Sequence, residues 1–388
     1  MKRISVVLMV MAGLIYPLFA NGASDKGAQK PANALKIAVV CSSAGQNDNG
    51  YNQSAVNGIT QFAAENNVTY KVIEPTNGVP AALEALADDG YSLIFSLEYD
   101  FDALIKGVGG SESIADMYPN TTFVIFNDNP NVDADGNMLH KNVISVLFDV
   151  HEGSFLAGVL SVEVIEHQAQ LFGADYNFTP ATDGGRTVGF IGGTNSNGIT
   201  VFSNGYIAGI NYEAKKLGVT YDYYSKYDAG FGDPATGATV AGTFFSNGAN
   251  IVYGCAGVVC DGIDAKAKEV GKLSIEVDAN KDAQQPGYIL TSVLKNTDIP
   301  VIAISKAALD GSLSSMNNLQ SYSLASGAAG ITDLSVIGAK VKDKATWDKV
   351  VAAVADAKEK ISSGAITVTN AQRGDAFNAA DYPNVVIK

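Results

Sequence analysis

The chain carries one strand–loop–helix–strand pattern twice. Laying the Val-Thr-Tyr at 68–70 on the Val-Thr-Tyr at 219–221 superposes AVVCSSAGQNDNGYNQSAVNGITQFAAENNVTY on GFIGGTNSNGITVFSNGYIAGINYEAKKLGVTY. Gly58 then meets Gly209, Ile59 meets Ile210, Val56 meets Ile207, and Tyr51 meets Phe202. Around the first copy, apolar runs at Lys36–Val40, Thr69–Ile73, Leu93–Leu97 and Thr122–Asn127 read as buried strands. Helical spacing covers Gln53–Asn66 and Val79–Asp88. The order restarts with strands at Thr187–Ile191, Thr220–Ser225, Ile251–Tyr253 and Ser274–Val277, interleaved with helices at Val201–Leu217, Ala235–Ser246 and Gly262–Val270. Strands alternating with helices predict a parallel sheet covered on both faces. The fold class expected is therefore α/β: two doubly wound parallel-sheet lobes joined by a hinge.

The predicted first lobe is 35–150 with a returning segment around 299–330. The second is 151–298 with a C-terminal segment around 331–388. Within these returns, Asp298–Ile304 and Ala365–Thr369 read as strands. Asp343–Ile361 reads as a helix carrying Trp347, Val350, Val354 and Ile361. Ligands of open α/β sheets bind beyond the carboxyl ends of the strands. Two such lobes face to face would line one cleft with those loops and close on it by hinge motion.

The first residues read as an export signal over 1–22: Lys2 and Arg3, an apolar run from Ile4 to Phe19, then small residues at Ala20 to Ala23. The run falls short of the roughly 20 apolar residues a spanning helix needs. A polar leader follows over 23–34. No Cys lies near the cleavage region, which predicts an exported, periplasmic or extracytoplasmic protein without a lipid anchor. Cys255 and Cys260 could pair as a local disulfide after export or remain free thiols. The net charge of −14 argues against nucleic acid as a partner.

Enzyme signatures are missing. The three His residues show no metal-ligand spacing, and neither G-x-S-x-G nor G-x-x-x-x-G-K-[ST] occurs. Gly189-Phe-Ile-Gly-Gly193 is not a dinucleotide fingerprint. Asn131, Asp133, Asp135 and Gly136 begin like a calcium loop, but its twelfth position is Asn142 where a Glu is needed. The motifs predict no cofactor, no metal and no catalytic residue.

Binding candidates cluster where strands end. Asn47, Asp48, Tyr51 and Asn52 lie in the loop that enters the first helix, where amides and carboxylates either cap the helix or meet a ligand. Tyr51 and its repeat mate Phe202 either belong to the core or sandwich a planar ring, which is worth roughly 1–3 kcal/mol per base. Asp128 ends the strand FVIFND and Asp278 ends LSIEVD, positions from which a carboxylate accepts hydrogen bonds from a vicinal diol. Lys295, closing TSVLK, can donate to hydroxyls or balance a carboxylate.

These residues resemble the basic-membrane-protein (BMP) family of substrate-binding proteins, which includes purine-nucleoside receptors of spirochaetes. The resemblance runs over roughly 36–368. It is carried by Asp48-Asn-Gly-Tyr-Asn-Gln53, Glu152-Gly-Ser-Phe-Leu-Ala-Gly158, Phe190-Ile-Gly-Gly193, Phe202-Ser-Asn-Gly-Tyr206, Ala256-Gly257, Ile275-Glu-Val-Asp278 and Thr291-Ser-Val-Leu-Lys295. Tyr51 stands where the family has Phe, Gly50 where it has Ser, and Glu276 where it has Gly. The resemblance implies a type I periplasmic-binding-protein fold and delivery of a small molecule to an ABC transporter permease, with membrane contact only through that transporter. It implies that aromatics like Tyr51 and Phe202 stack on a base and that Asn47, Asp48 and Asp128 read its edge. Gly257 falls in the alanine–glycine strand end. Asp278 and Lys295 would hold the ribose. Riboflavin or another ribityl or sugar compound is the alternative ligand. A nucleoside-acting enzyme and a surface sensor are further alternatives.

Overall fold

Short apolar runs bounded by polar loops become parallel strands here because helices cover both faces of each sheet. The computed structural model describes residues 35–388, so the expectations for 1–22 and 23–34 lie outside the described residues. The chain begins with β1 (Lys36–Val40), α1 (Tyr51–Asn66), β2 (Thr69–Ile73), α2 (Val79–Asp88) and β3 (Leu93–Ser96). Two single-turn helices follow, α3 (Asp102–Ile105) and α4 (Ile114–Met117), then β4 (Thr122–Phe126) and β5 (Val143–Phe148). It crosses to a second sheet through α5 (Val150–Glu166) and α6 (Gln168–Phe172). That sheet is built from β6 (Thr187–Gly192), α7 (Asn197–Leu217), β7 (Tyr221–Lys226), α8 (Pro234–Ser246), β8 (Ile251–Cys255), α9 (Val259–Val270), β9 (Leu273–Asp278) and β10 (Ile289–Lys295). The chain returns to the first sheet with α10 (Asp298–Asp310) and β11 (Leu319–Tyr322). It then goes back to the second with β12 (Ala329–Ile331), α11 (Ser335–Gly338), α12 (Lys344–Ser362) and β13 (Val385–Ile387).

The strand orders are β11-β5-β4-β3-β1-β2 and β12-β10-β9-β8-β6-β7-β13. Apart from the edges, the second repeats the first, strand for strand. The match reaches single residues. α1 ends on Asn67 and α7 on Gly218, repeat mates that both adopt left-handed backbone, at φ 53° and 69°. All neighbours are parallel except the β10–β12 pair. Chain passes between the sheets run through Phe148–Val150, Lys295–Asp298 and Tyr322–Ala329.

Two strand expectations fail. Asp298–Ile304 is the start of α10, which buries Pro300, Val301, Ile304 and Ala307. That 3–4 spacing emerges only over the whole helix, and Pro300 sits in its first turn, where proline is tolerated. Ala365–Thr369 is irregular, because the edges of the second sheet are taken by β12 and β13. The second lobe gains its spine from α5 and α7, which cross almost backbone to backbone. A Cβ on Gly158 would lie 2.5 Å from the Tyr206 carbonyl oxygen, and one on Gly209 only 2.0 Å from that of Phe155. Among the described residues no helix is long and apolar enough to cross a membrane.

Candidate functional site

The loop from β1 into α1 is held by its own polar groups. The Asp48 carboxylate accepts from the backbone N–H of Gly50, Asn52 and Gln53 at 3.0, 2.9 and 3.0 Å, and from Asn52 Nδ2 at 2.9 Å. Four bonds fill a carboxylate's acceptor sites. Asn52 is buried, its Oδ1 accepting from the Ser42 N–H and its Nδ2 donating to Ser42 Oγ, both at 2.8 Å. In this structure both residues are committed to building the loop, and Asn47 is exposed. Their work seats Tyr51 at the first position of α1. The Tyr51 hydroxyl donates to Leu97 O at 3.2 Å, and its carbonyl accepts from Thr297 Oγ1 at 2.7 Å.

Tyr51 and Phe202 flank one group, the Lys295 ammonium. Lys295 ends β10 and is 4% exposed. Its Nζ lies 5.0 Å from the Tyr51 ring centroid, 5.5 Å from Phe148 and 5.7 Å from Phe202. Rings within about 6 Å attract a cation through their quadrupoles. Tyr51 and Phe148 come from the first lobe, Phe202 and Lys295 from the second. Among the described residues nothing lies within hydrogen-bond distance of Nζ. Burial pulls the Lys295 ammonium below its ordinary value, against the opposing pull of Asp278.

Asp278 ends β9 in left-handed backbone, φ 71°. Burial pushes its carboxyl above the usual range, while Lys295 and Lys281 draw it back. Lys281 is itself tied to buried Glu276 at 3.1 Å. Asp278 and Lys295 therefore sit where each charged form is disfavoured until hydrogen bonds reach it.

The repeat mate of Asp278 is Asn127, directly after β4 and also left-handed, at φ 70°. Asn and Asp adopt this conformation more readily than other residues with a side chain. Asn127 is 5% exposed, and its Nδ2 donates to the hydroxyls of Tyr51 at 2.8 Å and Tyr99 at 2.9 Å. The Tyr51 proton is already given to Leu97, so that hydroxyl must accept, which fixes the orientation of the amide. Asn127 Oδ1 is then left buried with no partner among the described residues. The Tyr99 proton is likewise uncommitted, which pairs a free donor with a free acceptor. Asp128, the residue expected from the sequence, is exposed, and its carboxylate accepts from the next backbone N–H, of Asn129, at 2.7 Å. The strand ends at Phe126, one residue before the expected Asn127, and Asn127 is buried while Asp128 is exposed. The repeat held the missing signal: the register that pairs Tyr51 with Phe202 pairs Asp278 with Asn127.

Gly257 adopts φ 54° in the loop after β8, and a Cβ there would lie 3.1 Å from Phe231 O. Its own backbone and a close neighbour account for the glycine. Cys255 and Cys260 are buried free thiols, so the disulfide alternative falls. Among the described residues no cluster of three His, Cys, Asp or Glu side chains could hold a metal ion.

A family model described as Bmp, ABC transporter substrate-binding protein PnrA-like, matches residues 34–372. The chain belongs to this family. It is thus an ABC transporter substrate-binding protein, a class that meets a small-molecule ligand and permease components. A relative from Lactococcus lactis named "ABC transporter nucleoside-binding protein BmpA" is 28% identical, covering 86% of this chain and 89% of its own length. A Pyrococcus abyssi relative named "Uncharacterized lipoprotein PYRAB04520" is 26% identical over 93% of this chain and 86% of its own. That name runs against the expectation of a form without a lipid anchor. A solved ABC solute-binding protein from Aeropyrum pernix matches with TM-score 0.68 and 21% identity, covering 90% of this chain and 95% of its own. The fold is that of type I periplasmic binding proteins.

Proposed function

We propose that this protein captures a purine nucleoside between its lobes outside the cytoplasm and presents it to the permease of an ABC importer, binding the ligand without converting it. The observation that carries the reading is the convergence of Tyr51 and Phe202, repeat mates from two lobes, on the ground held by Lys295, with Asp278 beside it. Two rings that converge on one point suit a flat base. Asp278 accepts from the 2′ and 3′ hydroxyls of a ribose, and Lys295 donates to one of them, which supplies hydrogen bonds that neither side chain makes among the described residues. Asn127 Oδ1 and the Tyr99 hydroxyl form an acceptor–donor pair suited to the edge of a base. Asn127 takes the edge-reading part that the sequence suggested for Asp128. The nucleoside-binding name of the Lactococcus relative agrees with this ligand class, and the apolar run at the N-terminus with export.

The test is calorimetric titration with inosine, adenosine and guanosine, followed by recovery of the ligand. Binding with intact nucleoside recovered is expected. Tyr51→Ala and Phe202→Ala should each weaken it by roughly 1–3 kcal/mol. Free base in the recovered fraction would make the protein an enzyme. A response to riboflavin alone would move the site to a flavin-type ligand.

A further inference from the structure

We infer that the cleft continues into a second subsite, which takes a neutral hydroxylated group, such as a second sugar, carried on the 5′ oxygen of the bound nucleoside. This rests on the nucleoside reading above. Beside Asp278 the seam between the lobes opens into a groove of about 340 Å³, within the range of about 300–1,000 Å³ usual for small-ligand sites. Asn49, Gln53 and Asn57 line it from the first lobe, Ala279 from the second, and Asn296 and Asp298 from the connection between them. Gly50 joins the groove to the cleft: a Cβ on it would lie 3.8 Å from Asp278 Oδ2.

The lining has a definite chemistry. Among the described residues, the carboxamides of Asn49, Gln53 and Asn57 have no hydrogen-bond partner. Gln53 and Asn57 stand one turn apart on α1 and so project side by side. Asn296 Nδ2 is spent on Gly327 O at 2.9 Å, which leaves its oxygen as an acceptor. Asp298 is engaged too, its Oδ1 accepting from Ser54 Oγ at 3.0 Å. Each free carboxamide offers both a donor and an acceptor, as a hydroxyl does. Among the described residues no cationic side chain lines the groove, while the carboxylates of Asp298 and nearby Asp278 repel an anion. A phosphate is therefore disfavoured and a polyol favoured. The attachment point follows from the ribose: with its 2′ and 3′ hydroxyls on Asp278, only the 5′ oxygen is free to carry an extension.

The experiment compares inosine with 5′-O-ribofuranosyl-inosine by calorimetry, on the unaltered protein and on a Gln53→Ala/Asn57→Ala variant whose folding is checked by thermal melting. The ribosylated nucleoside should bind about tenfold more tightly than inosine, the gain expected from one or two added hydrogen bonds. The double variant should lose that gain and keep the inosine affinity. The proposal falls if the extended nucleoside binds no more tightly than inosine, or if the variant retains the gain. Should inosine itself fail to bind, the nucleoside reading falls and takes this subsite with it.

Discussion

Lys295 has aromatic rings and the Asp278 carboxylate to support its charge, but no hydrogen bond among the described residues. The residue is buried, its Nζ lies among three rings with no hydrogen-bonding partner among the described residues, and burial disfavours its protonated form. A group that folding disfavours and the site requires is a mark of function. Lys295→Met keeps the stem and removes the ammonium. Its thermal stability should be unchanged or raised by about 1 kcal/mol, because apolar replacements of buried charges are often neutral or stabilising. Its nucleoside affinity should fall at least tenfold. A variant that melts earlier yet binds normally would make Lys295 a structural residue. The sequence singles out Tyr51 and Phe202 as repeat mates and Asp278 and Lys295 as the residues that close apolar runs, and the structure brings these four candidates together. Asn127 was not legible, because FVIFND ends on two polar residues, and only the exact last residue of the strand decides which one is buried.

The elements were legible wherever a period could be counted. β1, α1, β6 and α7 announce themselves in the repeat, whereas α10 has too short an apolar run to separate helix from strand. The glycines of Glu152-Gly-Ser-Phe-Leu-Ala-Gly158 read as a family motif, but their reason is visible only in the packing of α5, where Gly158 lies against α7 and Gly153 against Gly330 of β12. Repeat mates Gly58 and Gly209 do the same work in the two lobes: a Cβ on Gly58 would lie 2.8 Å from Asp298 Cα, and one on Gly209 2.0 Å from Phe155 O. Neither neighbour is a movable side-chain tip. Gly209→Ala should therefore destabilise by about 3 kcal/mol or more, measured by urea unfolding. Gly242 in α8 provides the control, since its added Cβ would meet only the Lys266 side chain, at 3.7 Å. Gly242→Ala should stabilise by about 0.4–1 kcal/mol, as helix-interior glycines do when nothing obstructs the methyl. Equal effects at the two positions would show that helix propensity, not the crossing, sets the requirement for Gly209.

Across the whole molecule, buried titratable groups set a stability optimum on the acid side of neutrality. On α5, burial pushes the Glu163 carboxyl up from 4.5 to about 7, with Glu213 on α7 adding to the rise and Lys216 opposing it. Glu166 adds to it as well, and His167 Nε2 stands 3.5 Å from Glu163. Glu213 gives one oxygen to Lys216 at 2.7 Å, while its other is buried without a partner. A carboxyl whose folded value is raised keeps its proton on folding. Its contribution is full below 4.5 and is lost as pH rises through about 7. Burial shifts Asp264, Asp278 and Asp282 in the same direction. His151, on α5 beside the hinge, acts in the opposite sense: burial and Arg373 lower it from 6.5 to about 4, against Asp375. A histidine held neutral contributes fully above 6.5, and that contribution is lost as pH falls through about 4. The two trends cross between their limits, so thermal stability should peak at about pH 5–6 and decline toward 7. Glu163→Gln should flatten the decline above the peak, and His151→Asn should flatten the loss below it. Melting curves from pH 4 to 8 on the three proteins decide the matter: parallel profiles would mean that the net charge of −14, rather than these buried groups, governs the response to pH.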